Sequence, residues 1–302
     1  MSLPTQEDGA ANNTVCAGDD GSSACSDEAI FVLGSSSKWR RDAVAEALAL
    51  PPGASALSRK VVGRPMTVPP DIDEKAIRHP DPAALVHRIA EGKMEAVKHR
   101  LVQLAWEGVL RGGRSAPDDP AETRAFVRAA WNAWTGATAP TTYLYVLTSD
   151  QVAVFRGEVR EKPTDAEQNR AFLRSYRHHT VQTVAASVME ACTFVARTDA
   201  AGVKRLTLSA VSTPAAHLVH EATVSFADIP DDVIECVIAR GDSLICCGGF
   251  VVEDPDLSRC MTDCRPSLRA VQGLDQDVVL KLLRECDARS YGTAPLTATA
   301  AA

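Results

Sequence analysis

The run Ala29-Ile30-Phe31-Val32-Leu33 is broken at once by Gly34-Ser35-Ser36-Ser37 and followed by Lys38-Trp39-Arg40-Arg41; it constrains this chain more than any other segment. Five consecutive apolar residues bounded by a small-residue turn read as a buried strand. The Ala/Leu-rich stretch that runs to about Leu50 reads as a helix, with Ser37 placed to cap it. Strand, tight turn and helix start together open an α/β unit. A helix start also presents unpaired backbone N–H groups, and two guanidinium groups beside them suit phosphate oxygens. The turn is not a P-loop, because the required Gly-Lys-Ser/Thr triplet is absent. An N-capping serine beside two solvated arginines is the alternative.

Further along, Leu85, Ile89, Val97 and Leu101 recur in steps of four, predicting a helix over 81–105. Lys93 occupies the vacant place on that stripe, so it either snorkels from the core edge or points into a site. Arg88, about a turn away, serves the same site or only the surface. Residues 57–65 read as a second strand. Residues 143–148 and 152–155 read as two strands with Asp150 between them and Arg156-Gly157 as a turn. A helix is expected over 166–174, a strand over 180–189, a hairpin pairing 193–197 with 206–210, a strand over 222–226, and a helix over 231–239 closed by Gly241. Residues 111–141, rich in Gly, Pro and Thr, read as an insertion between core elements. The pattern is that of a mixed-sheet α/β fold. It divides into a disordered acidic tail (1–28), one domain (29–285, with the 111–141 insertion) and a C-terminal tail (286–302).

Charge narrows the function. Of 39 acidic residues, six lie in residues 1–30, where there is no Lys or Arg, leaving 33 against 32 Lys and Arg in the rest. No basic excess or stripe marks a nucleic-acid binder. No apolar run approaches the ~18 residues of a membrane span. The N-terminus lacks a basic and then apolar leader, so a soluble cytoplasmic protein is expected, with neither nucleic acid nor membrane as partner. The nine cysteines are odd in number and scattered, which argues for free, buried thiols; Cys246, Cys247, Cys260 and Cys264 lack zinc-knuckle spacing and a nearby His.

Two acidic segments stand out. Asp71-Ile72-Asp73-Glu74 suits magnesium, or equally an exposed acidic loop. Asp150, in Thr148-Ser149-Asp150-Gln151, is either a turn residue or a catalytic or metal-binding group at strand ends. Glu161-Lys162-Pro163 returns a cation toward the same region. No nucleophile elbow, H-E-x-x-H or dinucleotide fingerprint occurs.

Seven segments in order resemble the Maf family of nucleotide pyrophosphatases: 33–41, 71–74, 88–93, 148–151, 157–163, 179–183 and 248–254. The resemblance implies an elongated, twisted mixed sheet with flanking helices and a cleft between two lobes, similar to the inosine-triphosphate pyrophosphatases. It implies hydrolysis of pyrimidine or modified nucleoside triphosphates, such as dTTP, UTP and CTP, to monophosphate and pyrophosphate as nucleotide housecleaning. Mg²⁺ is the implied cofactor, with Mn²⁺ as its substitute, and a homodimer is compatible with the family. Asp150, Glu74, Lys93 and Lys162 take catalytic places, with Asp150 and Glu74 also on the metal. Ser35, Ser37, Arg40, Arg41, Arg88, Gln151 and Glu253 take places on the substrate. Two departures stand out. Lys38-Trp39 replaces the Pro-Arg of many bacterial members, and Val252-Glu253-Asp254 replaces Ile-Gln-Gly, as in the eukaryotic and plant-like branch. The competing reading is a non-catalytic nucleotide-binding protein that regulates septum formation.

Overall fold

The computed structural model describes residues 27–50 and 59–290. The acidic tail, apart from Asp27 and Glu28, lies outside the described residues, as do Cys16, Cys25 and the segment after Ser290. Nine strands form one sheet: β1 (Glu28–Gly34), β2 (Lys60–Val61), β3 (Met66–Thr67), β4 (Thr142–Phe155), β5 (Glu158–Arg160), β6 (Thr180–Thr198), β7 (Lys204–Ala210), β8 (Ala216–Phe226) and β9 (Met261–Arg265). Its spine runs β2-β1-β4-β6-β8-β9, with β3, β5 and β7 paired to β1, β4 and β6. Pairings to β1 are parallel and the others antiparallel, so the sheet is mixed as expected. Seven helices flank it: α1 (Lys38–Leu48), α2 (Pro82–Leu110), α3 (Ala121–Thr135), α4 (Ala166–Ser175), α5 (Asp231–Arg240), α6 (Leu268–Val271) and α7 (Gln276–Ser290). Among the described residues no helix is long and apolar enough to cross a membrane.

The two strands expected on either side of Asp150 are one. β4 is continuous for 14 residues, and β6 absorbs both the 180–189 strand and the first arm of the hairpin. Asp150 is therefore not a turn residue: its neighbours Thr148, Ser149 and Gln151 continue the ladder with β6. On its other edge β4 pairs with β1 only as far as Thr148, opposite Gly34, and with β5 only from Ala153. No strand among the described residues covers that edge from Ser149 to Val152, and this gap opens the cleft.

Strand alternation sorts the core. Tyr145 and Leu147 face α1 and α7, while Ala153 and Phe155 on the same face join Leu173 of α4 and Ile234 of α5. Leu144 and Val146 face α2 and α3 on the opposite side, with Val152 against Leu85 and Ile89. Thr148, Asp150 and Val152 thus look toward α2, and Ser149 and Gln151 look away from it. The Arg156-Gly157 turn closes the β4–β5 hairpin with both residues at positive φ (52° and 82°), the primed geometry of two-residue hairpins.

Two segments go beyond the sequence pattern. Residues 111–141, read as an insertion, hold α3, whose Phe126, Val127 and Ala130 enter the core that α2 lines. Helix α2 also outruns the expected end at 105, because Gly108 lets Val127 pack at 3.2 Å from where a Cβ would stand. Helix α7 runs past the expected boundary at 285 to Ser290, with Cys286 and Asp287 buried.

Candidate active site

The gap in the β4 edge opens into a cleft of about 1110 Å³. Its floor is the β1–α1 turn, and Gly34 is there by necessity. A Cβ at Gly34 would lie 2.6 Å from Thr148 Cγ2 and 2.8 Å from Val97 Cγ2. Gly34→Ala is expected to lower the unfolding free energy by about 1–3 kcal/mol, the cost of overpacking a tight site, as urea denaturation would show.

Beyond it, the serine hydroxyls organise the turn. Ser35 Oγ accepts from the Ser37 N–H at 3.1 Å, and Ser37 Oγ caps α1 by accepting from the Arg40 N–H at 3.4 Å. Arg40, on the first turn of α1, donates Nη1–H to the Ser149 carbonyl at 2.8 Å, while its buried Nε has no hydrogen-bond partner among the described residues. Gln151 donates to the Val271 carbonyl at 2.7 Å. Ser35, Ser37, Arg40 and Gln151 all line the cleft.

From the α2 side comes Lys93, only 5% exposed, and the vacancy in the apolar stripe is resolved: it does not snorkel to solvent. Its Nζ lies 2.7 Å from Asp150 Oδ1 and 2.8 Å from Glu74 Oε1. One ammonium thus draws together a carboxylate from mid-β4 and another from a short 3₁₀ turn, Glu74–Ala76. Burial pushes the Glu74 carboxyl up, but the Lys93 bond and the nearby Lys162 and Arg40 charges outweigh it and hold Glu74 below its ordinary value. Asp71 and Asp73 of the same acidic segment do not line the cleft; Asp73 caps the 3₁₀ turn through the Lys75 N–H. Lys162, exposed just after β5, borders the cleft and has no ion-pair partner among the described residues.

Arg41 and Arg88 are not brought to this site. Both are exposed and neither lines the cleft. A residue next to Arg40 on a helix is turned about 100° away, and Arg88 precedes Ile89, whose side chain takes the inward place. Glu253 and Trp39 both line the cleft. Burial raises the Glu253 carboxyl above its ordinary value, with Arg269, Lys38 and Trp39 opposing.

Several lining residues carried no clear sequence signal. Thr183 is 2% exposed, and its Oγ1 finds no partner among the described residues. Thr183 closes the 179–183 segment of the family resemblance, but its residue type alone does not mark it for a site. Cys246 and Cys247 line the wall, and burial pushes their thiols up to about 11 and about 12. Burial is not uniform across the thiols: Cys192, Cys260 and Cys286 are buried, but Cys236 is exposed. The sequence-expected motif at 248–254 is partly structural, since Asp254 is held by Arg240 at 2.6 Å and accepts from the Leu257 N–H.

The arrangement places Arg40 and Lys162 near a carboxylate pair beside the C-terminal end of β1, the kind of position where α/β sheets bind ligands. A family model described as Maf-like protein matches residues 30–286, from the third residue of β1 into α7. The chain belongs to the Maf-like family. Within that frame it is 28% identical over 226 residues to a 7-methyl-GTP pyrophosphatase of Dictyostelium discoideum, covering 74% of this chain and 81% of the relative. It is also 28% identical over 182 residues to a nucleoside triphosphate pyrophosphatase of Synechococcus sp. (strain CC9311), covering 60% of this chain and 70% of that one. The Maf-like match spans every segment that builds the cleft.

Proposed function

We propose that this chain hydrolyses nucleoside triphosphates to monophosphate and pyrophosphate. The observation that carries the reading is Lys93 bridging Asp150 and Glu74 at the sheet gap, facing Arg40 and Lys162. Two carboxylates against one ammonium leave the cluster a net negative charge beside a phosphate-binding face. Such a hard-oxygen pair fits Mg²⁺, or Mn²⁺ in its place, which shares carboxylate and phosphate ligands. When bound, the ion offsets the charge of the triphosphate. The protein's own groups do the rest. Arg40, Lys162 and the amides at the start of α1 hold the phosphates. Lys93 holds the Asp150 carboxylate in place through their 2.7 Å ion pair, and Asp150 orients the attacking water and takes its proton. Hydrolysis in ¹⁸O-water tests the bond assignment: label is expected in the nucleoside monophosphate and absent from pyrophosphate. Label in orthophosphate, with a diphosphate product, overturns it. Nucleotide binding without any product favours the non-catalytic reading.

For the base, Trp39 and Glu253 favour a 7-methylguanine over the pyrimidines of dTTP, UTP and CTP. A guanine edge donates two N–H groups to a carboxylate, and N7-methylation gives the ring a positive charge that an indole face attracts. The Dictyostelium relative, named for 7-methyl-GTP, supports this choice. Glu253→Gln keeps an acceptor but removes the charge. It should lower the kcat/KM ratio of 7-methyl-GTP over UTP by roughly tenfold, the worth of a charged hydrogen bond. An unchanged ratio takes Glu253 out of base selection.

A further inference from the structure

The cleft does not end at Lys162. A second groove of about 380 Å³ continues from it, with Lys75, Glu161, Lys162 and Thr164 bordering both. The base-facing residues Trp39 and Glu253 line only the first cavity, so the groove leaves from the phosphate end. Its walls are of two kinds. Lys75, Arg78 and Arg160 supply cations, and His79 and Phe172 supply flat faces. Arg160 is 8% exposed, seated 4.6 Å from the Phe172 ring centroid and 4.5 Å from that of Phe155, and held by its Nη1–H to Ser175 Oγ at 2.6 Å. Its buried Nε has no hydrogen-bond partner among the described residues. His79 Nδ1 lies 3.1 Å from the Asp81 N–H and 3.2 Å from the Asp81 carbonyl oxygen, which holds the ring in place at the groove wall. Glu158 and Glu161 partly offset the cations, at 3.7 Å from Arg160 and 3.1 Å from Arg78, but Lys75 and Lys162 have no ion pair among the described residues.

A triphosphate whose base lies by Trp39 would direct its γ-phosphate to Lys162 and so to the mouth of this groove. Cations interleaved with aromatic faces are what a second nucleoside and its phosphate require. The volume falls in the ~300–1,000 Å³ range of small-molecule sites, enough for a nucleoside. Resting on the pyrophosphatase reading above, we propose that the chain also takes dinucleoside triphosphates, with the second nucleoside in this groove. Water attacks the α-phosphorus at the Asp150 end, the bond from that phosphorus to the α–β bridging oxygen breaks, and the products are one nucleoside monophosphate and one nucleoside diphosphate. One water is consumed and its proton leaves through Asp150; no further reactant is needed.

The test uses the full chain and the dinucleoside triphosphate built on whichever base it turns over fastest as a triphosphate, m7GpppG on the reading above. Wild-type protein should yield monophosphate and diphosphate, resolved by ion-exchange chromatography, with kcat/KM within about tenfold of the triphosphate. Arg78→Glu and His79→Ala, which lie in the groove and outside the cleft, should each lower that value at least fivefold. Their turnover of the triphosphate should stay within twofold, which also reports that they fold. Wild-type cleavage of the triphosphate with none of the dinucleotide overturns this inference alone. So do variants that lower both substrates equally or neither. Absence of triphosphate cleavage overturns the pyrophosphatase reading and this inference with it.

Discussion

Asp150→Asn should reduce kcat by ~10² or more while leaving KM within about threefold. The amide has the shape of the carboxylate but neither its charge nor its basicity. It would still sit in mid-β4, held by the ladder to Ala186, and Lys93 would keep its second partner, Glu74. The triphosphate grip from Arg40 and Lys162 is untouched, so the loss belongs to turnover. Steady-state pyrophosphate release, read beside a denaturation curve of the same variant, separates a chemical defect from a folding one. Wild-type kcat in the variant would remove Asp150 from the reaction and leave the cleft as a binding site.

The largest stability effect is expected far from the cleft. Arg59 is 4% exposed, its guanidinium lies 3.6 Å from the Tyr143 ring centroid, and its Nη1 donates to Asp287 Oδ1 at 2.6 Å and to the Tyr145 hydroxyl. Asp287 and the Tyr145 hydroxyl also bond each other, and burial followed by the Asp287 contact raises the phenol above its ordinary range. Arg59→Met keeps much of the apolar stem but leaves a buried carboxylate without that cation. The expected cost is about 3–5 kcal/mol of unfolding free energy, measured by urea denaturation. Adding Asp287→Leu should recover a large part of it, because removing one member of a buried ion pair costs more than replacing both by apolar groups. A double variant no more stable than the single one would place the energy in packing around Tyr143 and Tyr145 instead.

The sequence showed chemistry better than it showed boundaries, for physical reasons that differ by residue. Lys93 was visible because a charged residue broke an otherwise apolar stripe, and the structure makes that break a buried double ion pair. The Ser37 cap and the turn after Leu33 were visible because capping is local. Asp150 stands out as a charge among apolar residues, but the break expected between two strands there is absent, because β4 runs through it. A polar Thr-Ser-Asp-Gln stretch resembles a loop when the partner strand that pairs it, β6, is more than 30 residues away. Arg41 was grouped with Arg40 because adjacency in sequence says nothing about facing until the helix is built. Helix α3 looked like an insertion because its Gly and Pro flanks resemble linker, while the apolar residues that seat it are spread over one face among polar ones. Helix α7 is not among the elements read from the sequence, and it runs past the expected boundary at 285.

The two longest strands belong to both ends of the molecule. β4 passes from the neighbours of β1 to those of β5, and β6 from β8 to β7, without a break in either chain path. Opening or narrowing the cleft therefore has no loop hinge to turn on along this spine; the sheet itself would have to change its coil, which strains every ladder bond it carries. Heat meets the same constraint. Neither end can melt while the other keeps its half of β4 and β6 in register, so the domain should lose its order in one step, and the width of the cleft becomes a mechanical property of the sheet.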